Sequence, residues 1–201
     1  MPLLTRSVVD AYNERKATAT GSGNYLNPRD ITADKTRITI LGSESATGWT
    51  VWGNSATEPG KRVKLTFASE PSKEEIITRG DEMGAVVEGD AKPRQFFCFF
   101  VWNYNAEAVQ LFEFSQRGLM DPIIEFLSDE EVEAEPHLFD LVLSATGSGL
   151  EKKYSVIPMP GKRRQAATDK TIDAAWQKVL DAGADISVVV SGGDAFKGTN
   201  F

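Results

Sequence analysis

The chain has 201 residues, is 41% apolar and carries a formal charge of −7, which fits one globular domain with appendages and excludes a disordered chain. No run approaches the roughly eighteen apolar residues of a membrane span, and "MPLLTRSVVDAYNERK" has no apolar leader segment, so a cytoplasmic protein without membrane contact is expected. Cys98 and His137 are the only residues of their kinds; an internal disulfide and a Cys/His zinc site are therefore excluded, and most imidazole catalysis with them.

In chain order, residues 1–23 read as an N-terminal arm with helical character and a small, polar linker, "KATATGSGN". "TRITILG" (36–42) and "KRVKLTF" (61–67) alternate as half-buried strands, with the glycine-bounded "GWTVWG" (48–53) as a short strand between them. Residues 68–93 read as a charged, mobile loop. "RQFFCFFVWNYNAEAVQLFEF" (94–114) gives two strands around the turn Asn103–Ala108. Leu119, Ile123, Ile124 and Leu127 share a helical face, with Asp121 as cap and Pro122 in the first turn. "FDLVLSA" and "KYSVIP" are two further strands. "TDKTIDAAWQKVLDAG" is a helix capped by Thr168 or Asp169, striped by Ile172, Trp176 and Leu180, and stopped at Gly183. In the tail, Ile186–Val190 suits a docked strand, and the last eight or so residues are expected to be mobile.

This order predicts a mainly β fold with α: a Greek-key OB barrel with a helix before the last two strands and a C-terminal helix. The expected division is an arm and linker over 1–23, the OB domain over 24–160, the helix over 161–183 and a tail over 184–201.

Catalytic chemistry has no sequence support. Neither Gly60-Lys61 nor Gly161-Lys162 has the glycine a phosphate loop needs upstream. The acidic run Asp129–Glu135 lacks calcium-loop spacing. No enzyme activity and no cofactor are expected.

The strands do interleave cations with flat rings, the pairing that single-stranded nucleic acid requires. Trp49 and Trp52 precede Arg62 and Lys64; Trp102 and Tyr104 follow Lys92 and Arg94; Tyr154 follows Lys152 and Lys153. Aromatics on both parities of Phe96–Trp102 have a second explanation, a strand buried on both sides under a helix or at an oligomer interface. That alternative corresponds to a structural or assembly protein.

Three segments, "NYLNPRDITADKTRITILGSES", "FFCFFVWNYNAEAVQLFEFSQRGLMDPIIEFL" and "HLFDLVLSATGSGLEKKYSVIPMP", resemble in order and spacing the single-stranded DNA-binding proteins of bacteriophages. Arg37, Val101-Trp102, Val109-Gln110-Leu111, Phe139-Asp140, Gly147, Gly149, Tyr154 and Pro158 stand at the matching places, over Asn24–Pro160. The resemblance implies an OB fold that coats single-stranded DNA without sequence preference during phage replication or recombination in the cytoplasm of the infected host. Arg37, Arg62, Lys64 and Lys153 would neutralise phosphates; Trp49, Trp52, Trp102, Tyr104 and Tyr154 would stack bases. The chain departs from the pattern in three ways. It lacks zinc ligands, it has Ala145-Thr146 where a basic residue is common, and its tail has only two acids, Asp185 and Asp194. Replication or recombination proteins would meet that tail, and a homo-oligomer is compatible with the pattern.

Overall fold

A computed structural model describes residues 23–159 and 166–197. The helical character expected in the arm, residues 161–165 and the last four residues lie outside that range. The central element is β2, Thr36–Ser55, which replaces the two strands expected at 36–42 and 48–53. The segment between them does not end the strand; it bulges. Against β5 (Arg94–Asn103), Ile40 faces Val101 but Ser45 faces Phe99, so five steps along β2 match two along β5. Gly42 has φ +67, and the Trp176 ring lies where a Cβ would come within 3.2 Å. A bulge of this kind bends a strand and raises its twist. Both halves of β2 thereby find partners on the edge opposite β5. Thr36–Thr39 pair with β7 (Asp140–Thr146), and Trp49–Asn54 pair with β3 (Arg62–Phe67).

The sheet runs β1-β6-β5-β2-β7-β8, with β3 and the short β4 (Ala85–Val86) also on β2. Here β1 is Tyr25–Leu26, β6 is Ala108–Phe114 and β8 is Lys153–Pro158. Only β1–β6 is parallel. The ends of the path, β1 and β8, do not pair, so the closed barrel expected from the sequence is not found. The mainly β class and the order of helices are observed: α2 (Arg117–Leu127) and α3 (Glu130–Ala134) precede the last two strands, and α4 (Ala166–Asp181) follows.

The segment 68–93, expected to be a loop, contains helix α1, Lys73–Glu82. Ser72 and Glu75 form a reciprocal capping box at its start. Ile76 then closes a small core with Val51, Leu65 and Ala85. Helix α2 begins at Arg117, not Asp121, and carries Pro122 internally. Leu119 and Ile123 are buried, whereas Ile124 is exposed. In α4, residues 168 and 169 already lie inside the helix; Ile172 and Val179 are buried and Leu180 is exposed. Gly183 follows at φ +84. The tail forms a 3-10 turn over Ile186–Ser191, capped by Asp185, not a strand. Its Ala195 and Phe196 are buried in the main core, so the mobility expected of the last eight residues does not hold up to Lys197.

Strand β5 is covered on both faces. Phe97, Phe99 and Val101 share one face with Phe112 and Phe114, in the core that also contains Leu119 and Ile123. Phe96, Cys98, Phe100 and Trp102 take the other. There the Phe100 ring lies 5.2 Å from Trp176 and 5.4 Å from Phe196. The two-sided aromatics are internal core, closed by the chain's own last helix and tail.

Candidate nucleic-acid interface

Side chains at paired positions of neighbouring strands project from the same face. Three cross-strand rows therefore build a surface where β3, β2, β4 and β5 meet: Arg62–Asn54–Val86, Lys64–Trp52, and Thr66–Thr50–Arg94. Trp52 is 43% exposed and Val86 61%. Arg62 lies 5.9 Å from the Trp52 ring and makes no ion pair among the described residues. Arg94 is exposed on the same face. Of the sequence-derived site residues, this corner unites Trp52, Arg62 and Lys64.

Lys64 is not a free cation. Its Nζ donates to Glu113 Oε1 on β6 and lies 5.1 Å from the Phe96 ring. Two strands separate β3 from β6 in the sheet, so this contact requires the sheet to curl toward the Trp52 face. That face is the inside of a trough, and Trp52 stands on its rim.

The remaining candidates do not join this corner. Trp49 lies three residues before Trp52 and points to the opposite face, half-buried beside Phe67. Trp102 is 6% exposed in the core and offers no ring to a base. Arg37 donates from Nε to Asp140 Oδ2 at 2.5 Å, and its guanidinium lies 4.1 Å from the Tyr104 ring. The Tyr104 hydroxyl donates to the other oxygen of Asp140 at 3.2 Å. The Arg37 charge is thus balanced by a buried carboxylate. Lys153 is exposed, but Tyr154, next in sequence, lies on the opposite face and donates its hydroxyl to the Pro28 carbonyl at 3.2 Å. Burial raises the pKa of that hydroxyl, and Arg29 opposes the rise. Lys152 is held by the carbonyls of Pro28 and Arg29.

Sequence reasoning missed two members. Arg94 was visible as a cation beside an aromatic strand, but only the register places it beside Thr50. Val86 lay in the segment read as a loop and gave no signal. The Tyr25 hydroxyl, near the trough, donates to Asp194 of the tail; its pKa is raised by burial first and then by that carboxylate.

Among the described residues no group of three His, Cys, Asp or Glu could hold a metal ion, and no described helix is long and apolar enough to cross a membrane. No family model, curated protein or solved structure matches the chain.

Proposed function

We propose that this chain is a single-stranded DNA-binding protein of phage replication or recombination, working without catalysis. In this reading its curled sheet is an open variant of the OB architecture. The observation that carries it is Trp52, an exposed ring on a sheet face with Arg62 beside it and no counter-ion for that arginine among the described residues. An exposed ring offers a stacking surface to any base, and unpaired guanidinium groups attract phosphates. Arg94 extends the positive rim along the same face. The phenylalanines of β5 lend no support, since the core accounts for them. For the same reason they do not call for the oligomer interface of an assembly protein.

The test is a fluorescence titration with oligo-dT. Binding should quench tryptophan emission, salt should reverse it, and Trp52→Ala should remove most of the change. Absence of quenching, together with concentration-dependent self-association in sedimentation, would favour the assembly reading instead.

A further inference from the structure

Beside the Trp52 corner lies a cavity of about 220 Å³ between β3, β6 and the tail. Lys64 and Thr66, Leu111 and Glu113, Tyr25 and Gly192 line it. Tyr25 and Leu111 give it an apolar wall. Lys64 and Glu113 give it adjacent opposite charges, each side chain 27% exposed. Their mutual bond uses one ammonium proton and one carboxylate oxygen. The other donors and the second oxygen make no hydrogen bond to a described residue.

The tail shapes the wall opposite these charges. Gly192, at φ +84, brings the tail so close that a Cβ would stand 3.0 Å from Thr66 Oγ1, so the wall there carries no side chain. Lys64 sits directly across from Trp52, which puts the cavity next in line for a strand stacked on that ring.

We propose that this cavity captures one unstacked nucleobase and favours cytosine or adenine over thymine. This rests on the single-stranded DNA reading. The exocyclic amine of cytosine or adenine donates to Glu113, and the neighbouring ring nitrogen accepts from Lys64. Thymine has no such amine; when its N3–H donates to Glu113 and one carbonyl accepts from Lys64, the other carbonyl oxygen is left against the carboxylate and weakens the pairing.

The experiment compares oligo-dC with oligo-dT by Trp52 quenching, and deoxycytidine with thymidine by saturation-transfer NMR. The wild type is set against Lys64→Met/Glu113→Leu, which removes both charges together and leaves neither unpaired. The wild type should bind dC tighter than dT by about five-fold or more, and the double variant should bind dC no better than dT. Deoxycytidine, not thymidine, should receive saturation from the wild type alone. If the double variant fails to fold, Glu113→Gln serves, since an amide can pair with thymine and should erase the preference. Equal wild-type affinities, or a preference surviving in a folded variant, would overturn the proposal. If neither oligonucleotide quenches Trp52, the DNA-binding reading fails and the nucleosides decide alone: contact abolished by the variant retains a base site, and no contact ends it.

Discussion

Near each end of β2 an arginine stands beside an aromatic ring, and the two arginines are put to different use. At one end Arg37 lies 4.1 Å from Tyr104; at the other Arg62 lies 5.9 Å from Trp52. Arg37 meets a carboxylate that is itself buried, from a residue 103 positions away in sequence. Arg62 meets none among the described residues. A cation beside a ring is therefore not yet a binding site; the counter-ion decides whether its charge holds the fold or remains available to a ligand.

The largest expected effect breaks the closed end. Arg37→Met leaves the buried Asp140 without its partner. The loss should be about 2–3 kcal/mol, below the ~3–5 kcal/mol of a fully buried pair, because the Arg37 side chain is 36% exposed and solvent screens part of the interaction. The urea midpoint should fall at unchanged slope, and the salt dependence of dT binding should stay as in the wild type. A weaker salt dependence in the folded variant would show that Arg37 touches phosphate, and the contrast between the ends would collapse.

Smaller effects belong to the open end. Trp52→Ala should reduce dT affinity about ten-fold, within the ~1–3 kcal/mol that one stacked base contributes, with little change in the urea midpoint. Arg62→Ala with Arg94→Ala should flatten the log–log salt slope by about 1.4, from roughly 0.7 per phosphate neutralised. Lys64→Ala should change that slope less than either arginine, because Glu113 already balances its charge. If Lys64 proves the strongest contributor, the pair opens on binding and the ranking by counter-ion is wrong.

Much of the sheet was legible because strand alternation is local. "KRVKLTF" shows Val63, Leu65 and Phe67 opposed to Arg62 and Lys64, and β3 forms there. The bulge in β2 was not legible, because Gly42 reads as a strand end unless the pairing with β5 is known. Helix α1 was legible in principle: Ser72 with Glu75 is a capping-box spacing, hidden by the density of charge. The site was legible in composition and not in geometry. Trp49 and Trp52 read as neighbours yet occupy opposite faces, and Lys153 and Tyr154 do the same on β8. Asp140 as the partner of Arg37, and Glu113 as the partner of Lys64, depend on long-range pairing and curl, which periodicity does not carry. Phe196 followed two glycines, a signal of disorder, and instead packs on Phe100.

The smallest effect is expected midway between the two ends, at Cys98, where β2, β5 and β6 cross. Its Sγ donates to the Ala46 carbonyl at 3.5 Å, and the side chain is fully buried. Burial first, and the nearby Glu113 charge second, push the thiol up to about 12. The thiolate is the reactive form, so native protein at pH 8 should react with a disulfide reagent about a thousandfold or more slower than a free cysteine, at a rate set by unfolding. The sign of the linkage follows from the raised value. The buried thiol favours the folded state fully below its unfolded pKa of about 8.5. That contribution declines as pH rises from there through the folded value of about 12. Wild type should therefore lose stability relative to Cys98→Val between about pH 9 and 12 and not below, and saturating dT should leave the labelling mechanism unchanged. Labelling within about ten-fold of a free thiol at pH 8 would mean that the middle of the sheet opens readily. The Arg37 and Trp52 ends would then not be held apart by a rigid strand, and their different fates could not be assigned to their counter-ions alone.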